Sequence, residues 1–212
     1  MLFDLHVHSV YSDGANTPKE IIKYAQSIGL NGIAITDHNE VAGAREALKV
    51  CPEGFKIIPG IEVSSLSGHI LGLGIAEKIP IGLSAEETIA RIHAAGGIAI
   101  AAHPFDRLRQ GVGDSIYKLD YDAVEVYNGH TIMMSRSVDE IMNGLRLPVT
   151  GGSDAHMLSE LGSVVMELLG DPIEAIASGE GKISVNISKT KILLNHFKRR
   201  LAKKSEVKEV ER

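Results

Sequence analysis

Cysteine is almost missing from this 212-residue chain: Cys51 stands alone. An internal disulfide is therefore excluded, Cys51 reads as a small buried or loop thiol, and a reducing cytoplasm fits. No run of eighteen apolar residues occurs, so no transmembrane helix is expected. The opening "MLFDLHVHS" acquires polar and titratable groups too soon for a secretory signal. Internal repeats and low-complexity linkers are also absent. So is any glycine-rich phosphate loop, which argues against an open-sheet nucleotide fold. What remains is an ordinary globular composition, 44% hydrophobic and 23% charged, at a length that suits one domain with a sizeable core.

The charge is unevenly spread. Residues 189–212 carry nine Lys/Arg against three Asp/Glu, whereas the rest carries 13 against 24. An acidic body rich in His and Asp suits cation binding. The basic tail reads as a solvated helix end, with contact to a polyanion as the alternative. The expected division is one domain over 1–188 and a basic C-terminal helix and tail over 189–212.

Strands and helices alternate along the chain. "LFDLHV" reads as a strand, and "TPKEIIKYAQSIG" as a helix with a Thr17–Glu20 capping box and Pro18 in its first turn. "GIAITDH", "KIIPGIEVS", "HILGLGIA", "IAIAAHP", "DAVEVYNG", "PVTGG", "SVVMEL" and "KISVNI" read as strands. "SAEETIARIHAAGG" repeats the helix grammar with Ser84 and Glu87 as a second capping box. "TIMMSRSVDEIMNGL", "DPIEAIASG" and the terminal "TKILLNHFKRRLAKK" read as further helices. Near-continuously apolar strands alternating with helices predict a mainly parallel α/β sheet. A small (β/α) barrel fits best, with a doubly wound open sheet as the alternative.

Several of these strands end in metal-type residues: His6 and His8, then Asp37 and His38, Glu62, His103, and finally Asp154 and His156. In a (β/α) barrel such ends converge on one rim. Residues at i and i+2 of a strand share a face, so His6 and His8 can chelate one cation from a single strand. Asp154 and His156 repeat the spacing, although they fall where the strand gives way to a loop. One such histidine is more often merely hydrogen-bonded. Five placements together are hard to explain as packing, because buried titratable groups are costly unless paired or metal-bound. Neutral imidazole and carboxylate suit Zn, Mn or Fe.

The ordered set "DLHVHSVYSDG", "AITDHN", "GIEVS", "HILGLG", "AAHP", "VEVYN" and "VTGGSDAH" resembles the successive motifs of the polymerase and histidinol phosphatase (PHP) superfamily, over roughly residues 1–170. The likeness is greatest to its compact metal-dependent phosphoesterases. It implies a distorted seven-stranded (β/α) barrel holding two to three divalent cations. It implies His6, His8, Glu62 and Asp154 around one cation, and Glu62 bridging to a second with His103 and His69. It implies Asp13, His38 and His156 around a third. His69 could instead contact substrate or cap a hairpin. Asp37 is expected to orient a neighbouring histidine, and Asn128 to position a loop or ligand. His93 is expected at the surface or in packing, His130 near the rim without a motif role, and His196 as structural or exposed.

The implied chemistry is hydrolysis of a phosphoester by a metal-activated water, with His6, His8, Asp154 and His156 as the catalytic set. Arg107, Arg109 and Arg136 are candidates for bidentate phosphate binding, and each is also a plausible surface arginine. Only 33 residues separate His69 from His103, and Asp154 follows 51 positions later. That leaves little room for a covering domain, so an open site is expected. Such a site suits a small phosphorylated substrate or, alternatively, a nucleotide or short nucleic acid. Competing readings are a histidinol-phosphate-type phosphatase, a carbon–nitrogen hydrolase of the amidohydrolase type, and a catalytically silent metal-binding module.

Overall fold

The computed structural model describes residues 1–187. The helix expected in the basic terminal segment, the tail after it and His196 lie outside the described residues. The elements run β1 (Leu2–Val7), α1 (Pro18–Ser27), β2 (Gly32–Ile35), α2 (Ala42–Val50), β3 (Lys56–Ser65), β4 (Gly68–Leu73), α3 (Ala85–Ala94), β5 (Ile98–Ala101), β6 (Ala123–Asn128), α4 (Val138–Met142), β7 (Val149–Gly152), β8 (Val164–Leu168), α5 (Pro172–Ser178) and β9 (Gly181–Val185). Two short 3₁₀ turns span Gly113–Tyr117 and Leu158–Glu160.

The described strands form one sheet in the order β7-β6-β5-β4-β3-β2-β1-β8-β9. Beyond β7 the chain returns to β1: Val7 bridges Ala155, with the His8 N–H on the Ala155 carbonyl at 2.8 Å. The sheet is thus a nearly closed barrel. Two expectations are corrected. Among the described residues the sheet has nine strands where the resemblance implies seven, because the β8–β9 hairpin pairs onto the Leu2–Phe3 end of β1. It is also mixed rather than mainly parallel. Only Leu66 and Ser67 join β3 to β4, too few for a parallel crossover, so β4 runs antiparallel to both β3 and β5.

The barrel interior is divided along its axis. Its apolar part gathers Phe3, Leu5, Ala34, Ile58, Leu71, Leu73, Ile98, Ile100, Ala123, Met166 and Leu168, with Ala175 and Ile176 of α5 packed among them. On the helix side, Ile33 and Ile35 pack with Ile21, Ile22 and Ala47. Ile61, Val63, Ile70 and Val124 pack with Ile89 and Ile92 of α3. A register shift between Asp4 and Val7 interrupts the β1 alternation. Phe3 and Leu5 belong to the interior core, whereas Val7 packs with Ile33 and Ile35 on the helix side, leaving His6 and His8 to project inward together.

The helix starts follow their caps. Thr17 and Glu20 form the reciprocal capping box. At α3 only half of the expected box forms: Ser84 accepts from the Glu87 N–H, and the exposed Glu87 carboxylate, already well solvated, does not return the contact. The helix expected over 131–145 is shorter. Ser137 and Glu140 make a complete capping box that starts α4 at Val138. The residues before it pair with the chain after β5 instead, through the Asp106–Met134 bridge and the Ser135 N–H on the Phe105 carbonyl.

Candidate metal centre

At the opposite end of the interior from α5, the polar residues converge around one carboxylate. Glu62 shares its inward face of β3 with Ile58, and it is buried. Its two oxygens look in different directions. Oε1 meets His69 Nδ1 at 3.0 Å and His103 Nε2 at 3.2 Å. Oε2 meets His38 Nδ1 at 3.0 Å, His6 Nε2 at 3.2 Å and His8 Nε2 at 3.3 Å. Asp154 Oδ1 lies 3.1 Å from His8 Nε2 and 3.6 Å from His6 Nε2. Asp13 Oδ1 lies 3.0 Å from His156 Nε2 and 3.8 Å from His38 Nε2.

Among the described residues four groups of donor atoms close to within 4.8 Å: His6, His8, Glu62 and Asp154; His8, Asp13, His38 and His156; His38, Glu62 and His69; and His130, His156 and Glu160. The nine residues singled out as candidate ligands therefore meet at one rim. His69 arrives there from the start of its strand rather than the end, because β4 runs antiparallel to its neighbours. His103 breaks the alternation of β5. Ala99 and Ala101 pack on the helix side, and a left-handed φ of 29° at His103 turns its ring back toward Glu62. Asp154 and Asn39, the residue after His38, also hold positive φ values, 54° and 55°. Such backbone costs of order 1–3 kcal/mol per residue where it is unfavourable and tends to concentrate at functional sites.

The residues fit divalent cations. Among the described residues His6 Nε2, both His8 ring nitrogens, Glu62 Oε2, His69 Nδ1 and His103 Nδ1 are buried without a contact of hydrogen-bond geometry, the close approaches to Glu62 and Asp154 being misaligned for one. Buried polar atoms of this kind are expensive, and imidazole and carboxylate are the donors that Zn, Mn and Fe accept. The protonation balance shows the same tension. Burial alone would lower His6, but Asp154, Glu125 and Glu62 hold it well above the ordinary histidine value. His8, with the same conflict, is pushed up to about 9 by Asp154 and Glu62. Glu62 and Asp154 stay far below the usual carboxylate range: against the desolvation of both, His6 acts on each, joined by His103 and His69 at Glu62 and by Arg109 and His8 at Asp154. His103 is lowered, by burial first and by the Arg109 charge second.

Around the cluster sits a layer of buried polar residues. Glu125, inward on β6, accepts from His6 Nδ1 at 2.9 Å, from the His103 N–H at 3.1 Å and from Asn128 Nδ2 at 2.9 Å. Sequence reasoning passed over it. Its signal was an acidic residue between Val124 and Val126, which both pack outward. Asn128 accepts from the His130 N–H and from Arg109 through Oδ1.

Arg109 is committed to the protein itself. Its Nη1 contacts Asp154 Oδ2, Nη2 reaches Asn128 and Thr131 at 3.0 Å each, and Asp106 Oδ2 takes both Nε and Nη2. Arg136 is held in two-pronged fashion by Asp114 and lies over the Phe105 ring at 4.8 Å. Arg107 is exposed. Asp37 departs from expectation: it accepts from the Ser9 N–H, the Ser9 hydroxyl and the Ser12 hydroxyl, each at 2.7 Å. It shapes the loop between His8 and Asp13 rather than a histidine ring, because those three donors take both its oxygens. His93 pairs with Asp122 at 2.8 Å, away from the rim.

The family model of the PHP domain matches residues 4–143, and that of a PHP-associated segment matches 136–179. The chain belongs to the PHP domain family. An uncharacterized protein of Methanocaldococcus jannaschii is 41% identical over 142 residues, covering 61% of this chain and 83% of the relative. The 3′,5′-nucleoside bisphosphate phosphatase of Chromobacterium violaceum is 43% identical over 82 residues, 36% of this chain and 29% of that enzyme. A 5′-3′ exoribonuclease of Haemophilus influenzae is 37% identical over 83 residues, 37% of this chain and 30% of that enzyme. The chain thus matches under a third of each of these two enzymes. A two-domain protein from Bacteroides vulgatus, described as containing a predicted PHP-like metal-dependent phosphoesterase, shares the fold with a TM-score of 0.72 at 18% identity, over 87% of this chain and 64% of that one. Among the described residues no helix is long and apolar enough to cross a membrane.

Proposed function

We propose that the chain is a metal-dependent phosphoesterase that hydrolyses a phosphomonoester or a nucleotide or short-oligonucleotide phosphoester. The observation that carries this reading is the Glu62 carboxylate, which faces histidines on both of its oxygens at the mouth of a barrel. In this reading His6, His8, Glu62 and Asp154 hold one divalent cation, Glu62, His69 and His103 a second, and Asp13, His38 and His156 a third. Bound Mn, Fe or Zn ions would neutralise phosphate oxygens and lower the pKa of water toward neutrality.

The chain's own part is positioning. Glu125 holds the His6 ring through Nδ1, so that Nε2 points at the cluster. Arg109 and Asn128 hold Oδ2 of Asp154, so that Oδ1 faces His6 and His8. This makes Arg109 and Asn128 positioning residues first, although the Arg109 side chain is still 21% exposed. Arg136 is set aside as a phosphate ligand, since Asp114 and Phe105 engage it. The approach for substrate lies over Asp13, His38 and His69, whose side chains are 38%, 29% and 16% exposed, while the other ligands are almost wholly buried. The named relatives, a nucleoside bisphosphate phosphatase and an exoribonuclease, support a nucleotide or RNA end as substrate.

The test is metal content and turnover measured on one anaerobically purified sample. The substrates are a generic phosphoester, nucleoside monophosphates, a 3′,5′-bisphosphonucleoside and a short RNA. Two to three cations per chain with release of phosphate or nucleotide supports the reading. Bound cations with no turnover on any of them would point to the silent metal-binding module, and no bound cation would remove the proposal.

A further inference from the structure

Beside the nine candidate ligands lies a buried pair that they do not include. Glu160 closes the 3₁₀ turn Leu158–Glu160 and is 1% exposed; His130 follows β6 and is 4% exposed. Their side chains meet at 3.1 Å, from His130 Nε2 to Glu160 Oε2. The same Oε2 accepts the His156 N–H at 2.9 Å and the Met157 N–H at 3.2 Å. One carboxylate oxygen therefore ties His130 to the backbone of the loop that carries His156.

The His156 ring is held from three directions. Its Nδ1 lies 2.8 Å from the Asp154 carbonyl, an oxygen that can only accept, so Nδ1 donates there. It stacks on His8, with centroids 4.2 Å apart and planes at 28°, and on His130, at 5.4 Å and 25°. Nε2 is left aimed at Asp13. His8 also serves the buried cation group, so of these two neighbouring rings His130 is the one with no part in that group. His130 is in turn fixed through its own N–H on Asn128 Oδ1 at 2.8 Å.

We infer that the Glu160–His130 pair is a positioning element for His156, which presents the imidazole to the outermost cation and sets the occupancy of that site alone. The inference rests on the three-cation reading above. Placing a buried carboxylate and histidine beside an already acidic cluster is costly. Three contacts on one carboxylate oxygen plus the ring stack give that placement a use.

The experiment titrates the metal-free full chain with Mn²⁺, following free Mn²⁺ by electron paramagnetic resonance and counting bound metal after desalting. The wild type is expected to bind three cations. His130→Ala and Glu160→Ala are each expected to weaken one of the three by about 10–100-fold, the usual cost of removing a group that orients a ligand, and to leave the other two as in the wild type. His156→Ala should empty the same site. His93→Ala, which breaks only the Asp122 pair, should change nothing. Glu160→Gln keeps an amide oxygen for the His156 and Met157 N–H groups and should recover most of the affinity that Glu160→Ala loses.

Three results overturn the inference while leaving the three-cation reading intact. One is wild-type affinity at all three sites in His130→Ala. Another is an equal loss at all three sites. The last is a fourth cation in the wild type that only His130→Ala removes, which would make His130, His156 and Glu160 a binding group of their own. A wild-type chain that takes up only two cations removes the third site itself, and with it this inference.

Discussion

The two halves of the candidate centre are built differently. The deep half, His6, His8, Glu62, His103 and Asp154, stands on or just beyond strands, is buried, and is held by Glu125, Asn128 and Arg109. In the outer half, Asp13, His38 and His69 are partly open to solvent, and the loop carrying Asp13 takes its shape from Asp37 rather than from sheet pairing. Rigid, desolvated donors favour tight binding, whereas exposed loop donors favour exchange and access to substrate. In the proposed reading the barrel would thus separate holding cations from admitting substrate.

Four experiments test that contrast, beginning with the largest expected effect. Glu62→Ala removes the carboxylate assigned to two of the three proposed cations. Turnover should fall by at least about 10³, at or beyond the 10²–10³ that follows loss of one transition-state donor. Retained activity in this variant would end the shared-carboxylate account. Next comes Glu125→Gln, which keeps the shape but weakens the hold on His6. It should cost about 10–100-fold in affinity for the buried cations, with little effect on the outer one.

The third experiment uses pH. His8 sits at about 9 in the folded, metal-free chain, above its ordinary 6.5. A raised folded pKa gives stability that is complete below pH 6.5 and is lost as pH rises through 9. The melting temperature of the metal-free chain should therefore fall across that window. The cation-loaded chain should not follow it, because bound cations displace those protons. Parallel curves for the two forms would contradict this. The smallest effect is expected for Asp13→Asn. It should loosen the outermost cation and lower the stability of the metal-free chain by no more than about 1 kcal/mol, the range for a partly exposed ion pair.

Much of this architecture was legible along the chain. The i, i+2 spacing of His6 and His8, and the recurrence of His, Asp and Glu at strand ends, pointed to one rim. The capping signal of Thr17 set the start of α1. Less visible was the direction of β4, which only the two-residue β3–β4 turn reveals, and with it the arrival of His69 from a strand beginning. Glu125, Glu160 and His130 were missed or set aside for a common reason. Glu160 and His130 lie outside the ordered motifs, Glu125 lies inside "VEVYN" but reads there as one strand residue, and each acquires its partner from a distant element.

The sequence by itself determined the alternation of strands and helices, the apolar interior and the kinds of donor at the rim. These depend on local periodicity and on the chemistry of single residues. Only the tertiary structure decided which donors share an atom. That Glu62 faces histidines on both oxygens, that Arg109 is consumed by Asp154 and Asp106, and that His156 lies between His8 and His130 depends on barrel closure at Val7–Ala155 and on left-handed backbone at His103 and Asp154. Closure brings together residues up to 150 positions apart, and no local pattern encodes the angle at which they meet.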